Sequence, residues 1–189
     1  MITRLRPAHT PERLAHIYAE PHDHRRWGHG HYLRVEEMKA HAQAVTGVRS
    51  VVDLSCGNGE VARSLGLPDD KVILGDFAPG YPICGPVERT INQVPRNGVK
   101  TRLMISGETL EHLDDPAAVL AGFRRKAGRL VLSTPIDNFG DSNAEHYWAW
   151  DQAGVEELMA DAGWAVDRFT DVDSRTFGEP YRYGIWTAH

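Results

Sequence analysis

Two acidic residues flank a glycine-bearing turn in the first half of the chain. Asp53 precedes the turn Ser55-Cys56-Gly57-Asn58-Gly59, and Asp76 ends the next apolar run. Glycines between a strand and a helix let a ligand approach the backbone, and the N–H groups at a helix start attract electron-rich groups. A carboxylate about 20 residues beyond such a turn can accept hydrogen bonds from ribose hydroxyls. The pattern therefore predicts a site for an adenosine-containing ligand.

Asp53 distinguishes between two ligands that contain adenosine. The spacing of Gly57, Gly59 and Ala62 also satisfies the looser dinucleotide pattern. A pyrophosphate at the first glycine would be repelled by Asp53, whereas S-adenosylmethionine carries an ammonium and a sulfonium group and no phosphate. The chain also contains no Tyr-x-x-x-Lys pair of the short-chain dehydrogenase kind. We therefore favour S-adenosylmethionine, while a turn that Asp53 merely caps remains the structural alternative.

A second group of titratable residues follows a later apolar run. In Glu108-Thr109-Leu110-Glu111-His112, one helical turn would place Glu108 on the same face as Glu111 and His112, and His146 follows the next run. Three interpretations stay open. The residues cap and solvate the turn, or His112 or His146 acts as a general base, or two carboxylates and two imidazoles bind Mn²⁺, Mg²⁺ or Zn²⁺. We assign Glu111, His112 and His146 to catalysis and assign no metal.

These residues must be positioned by a mostly parallel sheet. Short apolar runs rich in Val, Ile and Leu alternate with helical patterns, as in βαβ units whose strands are buried on both faces. The predicted strands are 50–54, 71–74, 102–106 and 129–133, and the predicted helices are 10–20, 32–45, 58–65, 88–93, 116–126 and 151–162. Two last apolar segments, 164–170 and 181–188, have no helix between them, so they pair antiparallel or lie in different sheets.

Composition limits the class of protein. The 189 residues suit one domain, with 41% apolar residues and a formal charge of −5 from 21 basic and 26 acidic residues. That charge disfavours binding to duplex nucleic acid, although a local basic patch is compatible with it. No apolar run reaches the length of a membrane span, the N-terminus lacks a signal-peptide pattern, and the two cysteines lack zinc-ligand spacing. We expect a cytoplasmic protein with free thiols.

Four segments together resemble the class I S-adenosylmethionine-dependent methyltransferases, with a Rossmann-like fold of the methyltransferase type 11/23 kind. Residues 51–59 resemble the first motif of that family, Asp76-Phe77 the second, 104–116 the motif after strand four, and 130–135 strand five with its turn. The resemblance covers about residues 49–189. Ser55 stands where the family usually has glycine, and 85–88 replace the acid that many members place after strand three.

The resemblance implies a three-layer α/β fold, in which helices flank a seven-stranded, mostly parallel sheet with one antiparallel strand. It divides the chain into an N-terminal helical extension, 1–46, and a methyltransferase domain, 47–189. The cofactor contacts that it implies are Asp53, Ser55, Cys56, Gly57, Asn58, Gly59, Asp76, Phe77, Val87, Ser106, Gly107 and Glu108. We expect the N-terminal helices to form a lid with Tyr18, Trp27 and Tyr32 as wall residues, and the histidine-rich segment 22–31 to be exposed.

The expected activity is methyl transfer to oxygen or nitrogen of a small molecule or another soluble acceptor. Two alternatives are kept. Glu108, Glu111, His112 and His146 are similar to the metal set of small-RNA 3′-terminal 2′-O-methyltransferases, which would make the enzyme a metal-assisted RNA 2′-O-methyltransferase. The other alternative is a domain that binds S-adenosylmethionine without turnover.

Overall fold

The structure is a computed structural model that describes residues 1–19 and 28–189. Its strands are β1 (Ile2–Arg4), β2 (Ser50–Asp53), β3 (Val72–Asp76), β4 (Ile83–Cys84), β5 (Arg102–Gly107), β6 (Arg129–Ile136), β7 (Trp148–Trp150), β8 (Val166–Asp173) and β9 (Arg182–Ala188). Its α-helices are α1 (Pro11–Ile17), α2 (His29–Ala44), α3 (Glu60–Arg63), α4 (Val87–Thr90), α5 (Pro116–Arg124) and α6 (Gln152–Asp161).

The central sheet has seven strands in the order β4-β3-β2-β5-β6-β9-β8. Strand β9 runs antiparallel to both of its neighbours, β6 and β8, while the other pairs are parallel. This arrangement confirms the predicted α/β fold with one antiparallel strand. The antiparallel pairing of β8 with β9 follows from their direct connection, since a helical crossover is needed to join parallel neighbours.

Helices cover both faces of this sheet because its central strands are apolar on both sides. Val51 of β2 belongs to a core cluster with residues of α2 and α3, whereas the adjacent Val52 belongs to a cluster with residues of α4, α5 and α6. Successive side chains of a strand point to opposite faces, so neighbouring valines contribute to separate cores. The three layers that result confirm the predicted architecture.

Helix α2 packs against the sheet through Val35, Met38 and Ala42, each at most 3% exposed. It begins at His29, earlier than the predicted residue 32, and its N-terminal turn is anchored by a 2.8 Å hydrogen bond from the Gly30 amide to Glu179 Oε1. Glu179 lies in the loop before β9, far from Gly30 in sequence, so local sequence patterns do not reveal the start of α2. The division into 1–46 and 47–189 stays a prediction.

Short elements differ most from the predicted bounds. Helix α1 ends at Ile17, with Thr10 as its N-cap, and α3 begins only after Gly59, whose φ of 74° is left-handed. The strands β1 and β7 pair in a separate two-stranded sheet that the sequence did not predict. Strand β4 has only two residues, too few to show a period. Among the described residues, no helix is both long and apolar enough to cross a bilayer.

Candidate functional site

A cavity opens at the carboxyl ends of β2, β3 and β5, the edge where open α/β sheets bind ligands. It is lined by Leu14, Tyr18, Leu54, Ser55, Gly57, Asp76, Phe77, Gly85, Pro86, Val87, Glu88, Gly107, Glu108, Thr109, His112 and Leu113. The turn after β2, the tip of β3 and the segment after β5 therefore meet at one site. The strands bring these segments together because their parallel register aligns the three ends.

The glycine turn and the second carboxylate are joined directly. The Gly57 amide donates a 2.8 Å hydrogen bond to Asp76 Oδ2, and the Ala78 amide donates a 3.0 Å bond to Asp76 Oδ1. Gly57 has a φ of 54°, a left-handed conformation that favours glycine. Tyr81 donates its hydroxyl proton to the Gly57 carbonyl at 2.6 Å. The turn is held in one conformation by groups on β3 and the loop after it.

A smaller recess lies on the other side of Ser55 and Gly107, which line both spaces. Its wall contains Asp53 and Arg34, and both side chains are almost completely buried. Burial raises the pKa of Asp53 to about 7, with further repulsion from Asp76, while the Ser55 amide and Arg34 oppose the rise. The recess thus presents one acidic and one basic side chain to a small polar group.

Arg34 is a site residue that the sequence analysis missed. It reaches from α2 to Ser133 Oγ at 2.9 Å and to His31 Nε2 at 2.8 Å, and its Nε lies 3.9 Å from Glu108 Oε1. The guanidinium also lies over the Tyr183 ring, 5.7 Å from its centre. The sequence carries little signal for this residue, because the buried face of α2 mixes apolar residues with His31, Arg34 and His41.

Glu108 stands in a strained position at the end of β5. Its φ of 51° is left-handed, although it is not glycine, and its carboxylate accepts a 3.1 Å hydrogen bond from Ser133. Burial raises the pKa of Glu108, against the opposing effects of Arg34 and His146. Left-handed backbone at a non-glycine residue costs energy and concentrates at functional sites. Ser55 and Thr109 close this part of the wall, with their hydroxyl oxygens 2.6 Å apart.

Glu111, His112 and His146 form a tight cluster behind the cavity. One potential ligand atom of each lies within 4.8 Å of the others, and His112 Nε2 is 3.8 Å from Glu111 Oε1. Glu111 Oε2 accepts a 3.0 Å bond from Thr134, but Oε1 is buried and has no hydrogen-bond partner among the described residues. Burial and the nearby Glu108 raise the pKa of Glu111 to about 8.

His146 is the member of this cluster that is paired with a further acidic side chain, Asp141. Burial lowers its pKa, but hydrogen bonding to Asp141 and the nearby Glu111 outweigh that effect, and the net shift is upward. His146 and Glu111 do not line the cavity, whereas His112 does. The structure therefore brings the three predicted catalytic residues together and exposes one of them to a ligand.

Tyr18 on the segment after α1 closes one side of the cavity. Its hydroxyl lies 3.2 Å from His112 Nδ1 and donates a 3.1 Å hydrogen bond to Glu145 Oε2, and its ring is 5.5 Å from that of Phe77. Tyr18 thus occupies the wall position expected of it. Tyr32 is 47% exposed and does not line the cavity, while Trp27 lies outside the described residues.

The other predicted contacts divide into three groups. Phe77, Val87 and Gly107 line the cavity, and Cys56 and Asn58 line the smaller recess. Ser106 is fully buried and Gly59 packs against Leu74, so neither lines a cavity, and their contact with a cofactor stays a prediction. His31, expected to be exposed with its segment, is instead 2% exposed, because it is the third residue of α2 and meets Arg34; residues 22–27 of that segment lie outside the described part.

Comparison with known proteins gives the fold but no sequence family. No family model and no curated protein matches the chain. The structure is similar to a 1,6-didemethyltoxoflavin-N1-methyltransferase of Burkholderia thailandensis that was crystallised with S-adenosylhomocysteine, with a TM-score of 0.70, 17% identity and coverage of 99% of this chain and 93% of that one.

Two further solved structures show how widely this fold is used. The N-methyltransferase NodS of Bradyrhizobium japonicum, also crystallised with S-adenosylhomocysteine, matches with a TM-score of 0.63 and 12% identity over 94% of this chain and 96% of that one. The [4+2]-cyclase SpnF matches with a TM-score of 0.63 and 12% identity over 98% of both chains. Since one fold carries a methyltransferase and a cyclase, the reaction must be argued from the site.

Proposed function

We propose that this chain, which has the fold of the class I S-adenosylmethionine-dependent methyltransferases, binds S-adenosylmethionine and transfers its methyl group to oxygen or nitrogen of a small-molecule acceptor. The observation that carries the proposal is the pairing of two spaces across Ser55 and Gly107. One contains Asp76, and the other contains Asp53 opposite Arg34. A nucleoside joined to an amino acid needs two such spaces.

The larger cavity suits the adenosine half. Asp76 offers carboxylate oxygens to the ribose hydroxyls, and Phe77, Val87 and Leu113 give an apolar wall for the adenine ring. The smaller recess suits the amino-acid half, because Asp53 attracts an ammonium group and Arg34 attracts a carboxylate. Bound this way, the sulfonium lies near Ser55 and Gly107, where the two spaces meet. A dinucleotide would bring its pyrophosphate close to Asp53 instead, which disfavours it.

His112 is the residue we propose as the proton acceptor. Methyl transfer breaks the bond from sulfur to the methyl carbon and forms a bond from that carbon to the acceptor oxygen or nitrogen, which then loses a proton. His112 reaches the cavity, and its Nε2 lies 3.8 Å from Glu111 Oε1, a carboxyl group that in its ionised form would stabilise an imidazolium. The remaining contribution is positional, since the walls must hold acceptor, methyl and sulfur in line.

The proposal is tested by incubating the protein with methyl-labelled S-adenosylmethionine and fractionated cell extract. We expect labelled product from wild type and a loss of roughly 100-fold in His112→Gln, since general-base groups contribute about 10² to 10⁴. The exposed His189→Gln variant is the matched control. Saturable cofactor binding without transfer to any fraction would favour a binding domain without turnover and would contradict the enzymatic part of the proposal.

A second candidate is metal-assisted methylation of a ribose 2′-hydroxyl. The observation that favours it is the buried, unpartnered Glu111 Oε1 beside His112 and His146, a mixed oxygen and nitrogen set of the kind that divalent cations bind. The acidic net charge counts against an RNA substrate. Calorimetric titration with Mn²⁺ separates the candidates: binding that His146→Gln abolishes, with EDTA-sensitive transfer, would support the metal, and metal-independent transfer would exclude this mechanism.

A further inference from the structure

Asp141 is hydrogen-bonded to His146, and the proposed reaction assigns no role to this contact. His146 Nδ1 lies 2.6 Å from Asp141 Oδ2, and the two side chains are 6% and 3% exposed. Both residues belong to the loop between β6 and β7, and neither lines the cavity. The contact is short and nearly excluded from solvent, so it is unlike an exposed ion pair that contributes little.

Within residues 1–19 and 28–189, every other group that is hydrogen-bonded to the Asp141 side chain is a donor. The Asn143 amide donates to Oδ1 at 2.8 Å, the Tyr181 hydroxyl donates to Oδ1 at 3.3 Å, and Asn138 Nδ2 donates to Oδ2 at 3.0 Å. A carboxyl group that accepts on both oxygens is ionised and carries no proton to give. His146 Nδ1 must therefore be the donor in the 2.6 Å contact, and the neutral ring carries its proton on Nδ1.

This assignment leaves Nε2 as the nitrogen of His146 that can face the cluster. One potential ligand atom each of Glu111, His112 and His146 lies within 4.8 Å of the others, and the His112 ring is 4.8 Å from the His146 ring and perpendicular to it. Since Asp141 occupies Nδ1, Nε2 is the nitrogen available to this cluster. The Tyr181 ring, 5.3 Å from His146, limits rotation of the imidazole. Orientation of an imidazole by an acceptor on its far nitrogen fixes the tautomer and increases the basicity of the near one.

We propose that Asp141 is a positioning residue, which locks His146 in the Nδ1–H tautomer and presents Nε2 to Glu111 and His112. The role in turnover rests on the proposed function, whereas the tautomer itself is a property of the folded chain. Asp141 lines neither the cavity nor the recess, so its effect on turnover passes through His146.

The test is a long-range ¹H–¹⁵N spectrum of protein labelled at histidine, recorded over a pH series that extends to where the His146 signals stop changing with pH. The His146 signals are assigned by their loss in His146→Gln. We expect the wild-type ring to carry its proton on Nδ1. In Asp141→Asn we expect the proton to shift toward Nε2, because the Asn side chain can donate an N–H to Nδ1, which must then be the unprotonated nitrogen. Tyr181→Phe is the matched control, because it removes a donor to the same carboxylate and leaves the carboxylate in place.

Kinetics supply the second measurement. In Asp141→Asn we expect kcat to fall roughly 10- to 100-fold, as for other groups that orient an imidazole, with the KM for S-adenosylmethionine changed less than about twofold. Tyr181→Phe should keep most of the wild-type kcat. If Asp141→Asn does not fold, as judged by its melting curve and by its binding of S-adenosylhomocysteine, the position of the His146 ring proton in the wild-type spectrum tests the proposal by itself.

Two results would overturn the role of Asp141: an Nε2–H ring in wild type, or an unchanged tautomer in a folded Asp141→Asn. A protein that shows the expected tautomer yet transfers no methyl group would refute the proposed function and leave the positioning of His146 intact. The two failures are therefore distinguishable.

Discussion

The backbone amide of Gly57 donates its proton to Asp76 Oδ2 across 2.8 Å, so the turn after β2 and the tip of β3 form one unit. The two residues are 19 apart in sequence, and the parallel pairing of β2 with β3 brings them together. A ligand that binds Asp76 therefore also meets a turn whose shape is already set. The unit is preorganised, which lowers the entropic cost of binding.

Replacing Asp76 by Asn should weaken binding of S-adenosylhomocysteine. The substitution removes charge-assisted hydrogen bonds to the ribose, each worth about 1.5 to 3 kcal/mol, so the Kd measured by calorimetry should rise roughly 10- to 100-fold. Asp70→Asn is the control, because that exposed carboxylate lies just before the opposite end of the same strand. An unchanged Kd in Asp76→Asn would remove this residue from the site.

Sequence reasoning succeeded where the relevant residues are close along the chain. The turn at Gly57 and the carboxylate of Asp76 follow strands whose apolar runs are evident, and the mostly parallel sheet follows from the alternation of such runs with helices. The number of seven strands came from the family resemblance. Arg34 could not be assigned this way, because it meets Ser133 and Glu108 through tertiary packing. Arg34 and Ser133, for instance, are 99 residues apart.

Very short elements also escaped prediction, for a different reason. Strand β1 has three residues and pairs with β7, and its residue Ile2 is paired with Trp150, which is far away in sequence. Three residues show no periodicity, and pairing at such separation leaves no local pattern. The same limit applies to the two residues of β4.

Binding of S-adenosylhomocysteine should depend on pH through Asp53. Its pKa of about 7 in the free protein is raised by burial, and a ligand ammonium group in the recess would favour the carboxylate and lower that pKa. Binding then releases a proton below about pH 7, so affinity should rise by up to about tenfold per pH unit from pH 5.5 to 7 and level off above.

The matched variant is Asp53→Asn, which should bind more weakly at pH 8 and show a flat profile over this range. Proton release can be counted by calorimetry in buffers of different ionisation enthalpy. A wild-type profile as flat as that of the variant would show that Asp53 does not meet the ammonium group.

Tyr18→Phe should separate the two roles of that side chain. The ring that packs near Phe77 remains, while the hydroxyl contacts with His112 and Glu145 are lost. We expect kcat to fall by roughly 3- to 10-fold, since one hydrogen bond contributes about 0.5 to 1.5 kcal/mol, with little change in the Kd for S-adenosylhomocysteine. Tyr18→Ala should raise that Kd as well. Equal kinetics for wild type and both variants would exclude α1 and its following turn from the site.

His41 gives the fold an acid-sensitive element outside the site. Burial and then Arg168 lower its pKa to about 4, and it lies 2.8 Å from the hydroxyls of both Thr187 and Thr170. The unfolded chain, with a histidine pKa near 6.5, binds this proton more readily. The free energy of unfolding should therefore decrease as pH falls from about 6.5 to 4, by at most about 1.4 kcal/mol per pH unit.

Urea titrations across that range measure the slope, with His41→Gln as the variant that cannot titrate. The dependence of the free energy of unfolding on pH should be weaker in His41→Gln, by at most the contribution of one proton, about 1.4 kcal/mol per pH unit. Parallel curves for the two proteins would show that His41 is not the group responsible.

The proposed function requires that the cavity bind the nucleoside of S-adenosylmethionine, and parallel calorimetric titrations with S-adenosylhomocysteine and NADH test this directly. We predict saturable binding of one S-adenosylhomocysteine per chain, weakened roughly 10- to 100-fold in Asp76→Asn, and no measurable heat from NADH. Tight binding of NADH together with no binding of S-adenosylhomocysteine would contradict it.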